Sequence, residues 1–552
     1  MSFKDLLDNL TGSLPADLAA FAPELVLCIT IVALLLGRLV NLDRRIPGYW
    51  TALIGSLIAF GLAYMQVVPG DLPRGDDPFF SGLLVNDGLT VFFRLFLLLF
   101  LILVIALTVL SGVPDNEDGP DFYTLLLGAT IGMMLMVSAN HLLMLFLAVE
   151  MASVPSYVMV GFLKGRRLSS EASLKYVVYG AGAAGVMLYG TSLVGGMLGT
   201  AELPLVAEQL GSILAADSTA EGMSNPAIRT VLLGLMMVLV GLAFKLSLVP
   251  FHFWCPDAFE GAPAEVGGFL SVASKGAAFA LLIRVATQFV GVDAGDQLGP
   301  AGNVTQLYVT LGVGLGVISA VTMTFGNLAA YFQTNVKRLL AYSTIAHAGF
   351  MLAGVAAMII AHNSGASPGT DAAIQARQLA ADCVEGVLFY LSVYLFMNLG
   401  AFAIVALVRN QIYSEEISDY RGLWTQTPLL CVAMAVCLFS LVGLPPLGGF
   451  MAKFFVLASV WQAGDIHPAM WALVIVALMN TVISLFYYLR VLVAMFIASR
   501  PEEAPAMRSV PAESAYILLI TIPIVLLGAS PLIGRLSDAA QSIANNLFKI
   551  TG

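Results

Sequence analysis

About fourteen predominantly apolar runs, most of them twenty residues or longer, follow one another along this chain, and a helix needs roughly that length to cross a hydrocarbon core. They fall near 20–39, 50–68, 88–112, 122–138, 141–162, 175–199, 228–248, 264–290, 304–324, 339–360, 382–408, 428–461, 468–497 and 514–534. With 59% hydrophobic and only 11% charged residues among 552, the apolar surface is too large for one buried core. The expected fold class is an all-α polytopic membrane protein, embedded in the lipid bilayer.

Composition also removes several function classes. A net charge of −10 without any Lys/Arg-rich run offers no footprint for nucleic acid. The five cysteines, Cys28, Cys255, Cys383, Cys431 and Cys437, form neither a CxxC nor a Cys/His cluster, so no zinc or iron–sulfur site can be drawn and no metal site is expected. The acidic N-terminal stretch MSFKDLLDNLTGSLPADLAAF does not read as a cleavable signal peptide. Nucleotide-binding and hydrolase motifs such as GxGxxG after a strand, GxxxxGK[ST] and GxSxG are not found.

The longer polar connectors, 69–87, 113–121, 200–227, 361–381, 409–427 and 498–513, are too short to hold a soluble domain. Segment 200–227, with Glu202, Glu208, Asp217 and Glu221, suits a short surface helix. Basic residues concentrate in the odd-numbered loops: Arg44 and Arg45; Lys164, Arg166 and Arg167; Lys337 and Arg338; Arg409 and Arg421; Arg500 and Arg508. Among the even loops, Arg74 and Arg377 are the main exceptions. The bias places odd loops in the cytoplasm and both termini on the outer face.

Ionisable groups inside apolar runs are costly and mark function. Of eight lysines, Lys175, Lys245, Lys275 and Lys453 fall within or at the edge of a span. Glu150 lies mid-span in HLLMLFLAVEMASVPSYVMV. Lys245 precedes a predicted helix break at Pro250 and Pro256 in GLAFKLSLVPFHFWCPDAFEGAP. Lys453 follows another in FSLVGLPPLGGFMAKFFVLASV. Breaks at membrane depth point to ion or substrate sites.

Two interrupted spans, with a lysine on opposite sides of each break in chain order, fit a pair of inverted five-helix repeats over spans 4–8 and 9–13. His347, alone in YSTIAHAGFMLAGVA, would then correspond to Glu150, and Lys453 to Lys245. Lys275 sits among small residues in GGFLSVASKGAAFALLIRV, and Lys175 opens its span in SSEASLKYVVYGAG, where it can relay protons or snorkel. Arg94 in FFRLFLLLF has the same escape and reads as structural.

A desolvated lysine can release its proton whereas an arginine cannot. The expected relay is therefore Glu150, Lys175, Lys245, Lys275, His347 and Lys453, with either Lys175 or Lys245 as the partner of Glu150. The corresponding division is 1–121 for helices 1–3, 122–290 for the first repeat, 291–497 for the second and 498–552 for helix 14.

The strings PFHFWCPDAFEGAPAEVGGFLSVASKGAAFALLIRV, KRLLAYSTIAHAGFMLAG and FSLVGLPPLGGFMAKFFVLASVW resemble the antiporter-like proton-translocating subunits of respiratory complex I, most of all the N type of bacterial NADH:quinone oxidoreductase. The resemblance spans about residues 85–500. It implies that Glu150 and Lys245 match the family's charged pair, Lys275 its central lysine, Lys453 the lysine of its broken helix, and Lys175 a lysine of the N type. The lysine at 453 differs from the glutamate of the M-type relative.

The resemblance further implies a bacterial inner-membrane subunit of a translocating enzyme with no redox centre of its own. NADH, flavin, iron–sulfur clusters and quinone would belong to partner subunits, with neighbouring antiporter-like and small membrane subunits alongside. A cation/proton antiporter of the Mrp or stand-alone type shares these features and is the alternative. A third reading makes the charges purely structural.

Overall fold

In the computed structural model, residues 3–67, 77–114, 118–216, 226–290, 302–363, 370–502, 505–508, 510–529 and 531–550 are described. The chain begins with α1 (Phe3–Ala20), α2 (Ala22–Leu39), α3 (Gly48–Met65) and a hairpin of β1 (Asp77–Phe79) and β2 (Leu84–Asn86). It continues with α4 (Gly88–Ser111), α5 (Gly119–Ser138), α6 (Leu142–Val160), α7 (Arg167–Leu198), the short α8 (Leu203–Ala216) and α9 (Pro226–Leu246). After an interruption comes α10 (Trp254–Gly261), then a span made of α11 (Ala264–Phe269), one π turn at Leu270–Ser274 and α12 (Lys275–Val290).

The second half holds α13 (Gly302–Tyr331), α14 (Val336–His362), α15 (Asp371–Ile412), α16 (Pro428–Val442), α17 (Gly448–Ala463), α18 (Ala469–Phe496), α19 (Pro511–Ala529) and α20 (Leu532–Leu547). Among the described residues, thirteen helical spans are long and apolar enough to cross a membrane. The interrupted pair α16 and α17 stands where the remaining expected span lies.

The pattern of apolar residues decides which helices are central. The α11–α12 span, α14 and the membrane part of α15 carry small or apolar residues on every face and are buried all round. In α2 the buried residues form one stripe, Glu24, Leu27, Thr30 and Leu34, while Ile29, Val32 and Leu36 face outward as lipid-facing residues would. The three fully buried elements thus form an axis inside a shell of half-exposed helices.

Close helix crossings depend on glycine at particular points. A Cβ added to Gly349 of α14 would lie 2.8 Å from the Met323 backbone nitrogen and 3.0 Å from the Ser319 carbonyl oxygen of α13. Small residues at such points let backbones approach, which is how membrane helices pack tightly without a hydrophobic drive between them.

Several sequence-based boundaries differ. Helix α7 begins at Arg167, so Lys175 lies inside a helix rather than opening it. The polar turn RLSSEAS continues the helix, as Ser and Glu do readily where water solvates them, and an apolar ruler cannot register that. Helix α15 extends to both sides of 382–408 for the same reason. Helix α1 precedes the first expected span, and the end of 514–534 belongs to α20, most of which lies beyond the last expected span. A short helix, α8, does occupy part of 200–227, whereas Arg74, Asp217 and Glu221 lie outside the described residues, as do 291–301.

Gly349→Ala is expected to lower stability by about 1–3 kcal/mol through overpacking against backbone. Gly314→Ala, with nothing within 4 Å of the added Cβ, is expected to hold or slightly raise it, since alanine favours helix. Thermal denaturation of the purified protein in detergent compares the two.

Candidate functional site

The first interruption places Lys245 in the last turn of α9, where a cation complements the negative end of the helix dipole. Ser247 then adopts a left-handed conformation with φ of +58°, which turns the chain out of the helix. The loosened backbone is re-satisfied locally. The Ser247 and Trp254 Nε1 groups both donate to the Phe244 carbonyl, at 3.0 and 2.9 Å, and the Val249 N–H donates to Thr322 Oγ1 at 3.1 Å.

Lys245 is 1% exposed and donates to Ser153 Oγ of α6 at 3.1 Å. Ser153 lies three residues beyond half-buried Glu150, hence on the same face of α6. Glu150 and Lys245 are near enough for their charges to interact but make no ion pair within 4 Å. Around them, Tyr157 Oη, Tyr176 Oη and Ser247 Oγ are buried without a hydrogen-bond partner.

Lys275 opens α12 directly after the π turn. Such turns widen the helix locally and recur at functional sites. Its Nζ, also buried, donates to the Thr344 carbonyl of α14 at 3.2 Å. One turn further along α14, His347 Nδ1 is 2.5 Å from Tyr390 Oη and its Nε2 is 3.3 Å from Tyr488 Oη, which itself meets Ser343 Oγ at 2.5 Å.

One more turn brings Phe350, whose ring centroid lies 4.5 Å from Lys453 Nζ. Thr344, His347 and Phe350 therefore form one face of α14 that runs from Lys275 to Lys453.

Lys453 closes the second interruption. Gly443, at φ of +89°, ends α16, and Lys453 reaches back from α17 to donate to the Val442 carbonyl at 2.9 Å. A Cβ on Gly443 would lie 3.0 Å from Lys453 Cδ, so glycine both turns the chain and leaves room for the lysine stem.

Of the six expected residues, Glu150 and Lys245 interact at the first interruption, while Lys275 and Lys453 meet α14 on either side of His347. Lys175 is elsewhere. Its side chain is 40% exposed and pairs with Glu171 at 2.9 Å and Asp257 at 2.8 Å, in a cluster that Arg338 and Glu260 complete. The carboxylates in contact with Lys175 are Glu171 and Asp257, not Glu150.

Arg94 does not snorkel. It is fully buried and binds Glu24 at 2.7 Å, with Gln66 and Asn86 accepting from Nη1. Sequence reasoning passed over His252 and the tyrosines 390 and 488, because phenols and imidazoles inside apolar runs look like packing. It also passed over Arg284, which binds Asp87 through two bonds of 2.9 and 2.8 Å and donates to the Val137 carbonyl at 2.7 Å.

The fold and the site define a polytopic, predominantly helical membrane protein with ionisable groups buried at and between two broken helices. The family model described as NADH:quinone oxidoreductase/Mrp antiporter, TM, matches residues 139–367 and 373–484. The chain belongs to this family.

It is 38% identical over 522 residues to the NADH-quinone oxidoreductase subunit N of Anaeromyxobacter sp. (strain Fw109-5), covering 92% of each chain. It is 35% identical to the subunit N of Rhodospirillum rubrum, covering 95% of this chain and 96% of that one. Among solved structures, a chain of respiratory complex I from Thermus thermophilus with bound aureothin matches with a TM-score of 0.68 and 30% identity, over 94% of this chain and 99% of that chain. A chain of the Mrp complex from Dietzia sp. DQ12-45-1b, at TM-score 0.75, 19% identity and coverages of 96% and 98%, shares the fold.

Arg284→Met would leave the Asp87 carboxylate buried and unpaired, at an expected cost of about 3–5 kcal/mol. Lys175→Met, at a partly exposed pair, is expected to cost under about 1 kcal/mol. Chemical-denaturant or thermal unfolding of the two purified variants distinguishes them.

Proposed function

We propose that this chain is a proton-translocating membrane subunit of a bacterial NADH:quinone oxidoreductase, assembled with the other subunits of that complex in the inner membrane. In this reading it holds no redox centre, and NADH, flavin, iron–sulfur clusters and quinone are handled by partner subunits. Glu150, Lys245, Lys275, His347 and Lys453 carry the protons, with Lys175 joining at the surface through Asp257. The helices divide as 1–121, 122–290, 291–497 and 498–552, the middle two being inverted repeats, and both termini face the outer side.

The observation that carries the reading is the face of α14 formed by Thr344, His347 and Phe350, which joins Lys275 to Lys453. Proton transfer along it needs groups that can be charged or neutral. Lys245, Lys275 and Lys453 each donate to a neutral oxygen, from Ser153, Thr344 and Val442 respectively, so losing a proton leaves no carboxylate stranded in contact.

The Glu150–Lys245 pair supplies the switch. Bringing two unit charges to 4 Å at an effective dielectric of about 20 yields roughly 4 kcal/mol, enough to hold or release the Lys245 proton when the pair closes or opens. A small helix movement driven by partner subunits would thereby be converted into proton displacement.

Mild-detergent capture of the tagged chain is expected to bring down an assembly with inhibitor-sensitive NADH:quinone activity. Recovery with antiporter-like chains only, together with sodium/proton exchange, would contradict the assignment. In the assembled complex, Lys245→Ala is expected to reduce pumping by at least about tenfold. Pumping and assembly both at the normal level would refute the role of this lysine.

A further inference from the structure

A second buried carboxylate lies away from the relay. Glu265 stands in the first turn of α11, 1% exposed, and neither of its oxygens has a hydrogen-bond partner. A buried charge is normally paired, so an unpaired one requires an explanation. Four elements face it. Lys337 of α14 and Arg409 of α15 act on it electrostatically, Ser111 ends α4 beside it, and its charge reaches Tyr516 of α19.

Both cations are already engaged by another carboxylate. Lys337 Nζ, 2% exposed, binds Glu415 at 2.9 Å and also donates to the Ala262 carbonyl at 2.7 Å, in the turn that leads into α11. Arg409 Nε lies 3.4 Å from Glu415. Two cations thus share one contacting carboxylate, and Glu265 is the second acid beside them, in contact with neither.

A series of polar groups leads from Glu265 to Lys275. Ten residues of the same span separate them, about 15 Å at helical rise. Along the way Ser271 Oγ accepts from Asn398 Nδ2 at 2.5 Å, Asn398 Oδ1 has no partner, and Ser274 Oγ, in the π turn next to Lys275, has none either. Asn398, Ser271 and Ser274 are all at most 1% exposed. Buried polar atoms left open by the protein are the groups that bind internal water.

We propose that Glu265 is the proton-loading residue of a hydrated route that enters from the Lys337–Arg409 end and delivers to Lys275. The carboxylate takes a proton from water at that end, and the acid releases it through water hydrogen-bonded to Asn398 and Ser274 to a neutral Lys275 amine, which becomes the ammonium. Only O–H and N–H bonds form and break. The inference rests on the proton-translocating function proposed above.

The test uses the assembled complex in sealed membrane vesicles, with pumping normalised to complex content and followed across pH. Glu265→Gln is expected to lower pumping by at least about fivefold and flatten its pH profile, with Glu265→Asp restoring at least about half. Glu265→Gln pumping at the normal level while Lys245→Ala does not pump would overturn the loading role and leave the function intact. Normal pumping in both variants would refute the relay through Lys245 on which the inference rests.

If Glu265→Gln fails to assemble, Asn398→Leu decides. It replaces the open amide by apolar surface of similar size and is expected to lower pumping by a similar factor, whereas normal pumping would overturn the route.

Discussion

A helix that stops inside a membrane frees carbonyl groups that no lipid can satisfy. The architecture depends on how those groups are met. At the second interruption the donor is Lys453 itself, bound to the Val442 carbonyl. At the first, Ser247 and Trp254 serve the Phe244 carbonyl, which leaves Lys245 at the helix end free to reach Ser153. Lys245 therefore sits at the C-terminal end of α9 and the Lys453 ammonium reaches the C-terminal end of α16, where the dipole favours a cation without the need for a contacting carboxylate.

This separates two populations of buried cation. Arg94 and Arg284 are locked into carboxylate pairs and make several further hydrogen bonds, an arrangement suited to holding helices in register. Lys245, Lys275 and Lys453 donate to neutral oxygens only, and groups held in this way can give up a proton without leaving an unpaired charge in contact. Carboxylate-locked and carboxylate-free cations are thus different side chains within the same membrane thickness. The glycines that let α13 and α14 approach fix the geometry in which α14 can bridge two lysines.

Much of this was legible in the sequence, because membrane thickness imposes a length on helices and charge inside them is rare. The spans, both interruptions and the buried Lys245, Lys275 and Lys453 follow from those two facts, whereas Lys337, read as a loop residue, is buried in the first turn of α14. The rest was not legible for physical reasons. Polar turns such as the start of α7 are helical without being apolar, which moved Lys175 from the relay line to a surface cluster with Asp257. Burial of Arg94 depends on Glu24, seventy positions away in the chain, and no local pattern encodes that pairing. Tyr390 and Tyr488 became visible only when α14, α15 and α18 were brought together around His347.

The central claim is that the buried lysines act by releasing and regaining protons rather than by supplying fixed positive charge. Lys275→Arg, examined in the assembled complex, separates the two, because arginine keeps the charge and does not give up its proton. The account predicts that the variant assembles and fails to pump, as Lys275→Met does. Normal pumping by Lys275→Arg would contradict it, since a permanent cation would then be sufficient at the centre of the site.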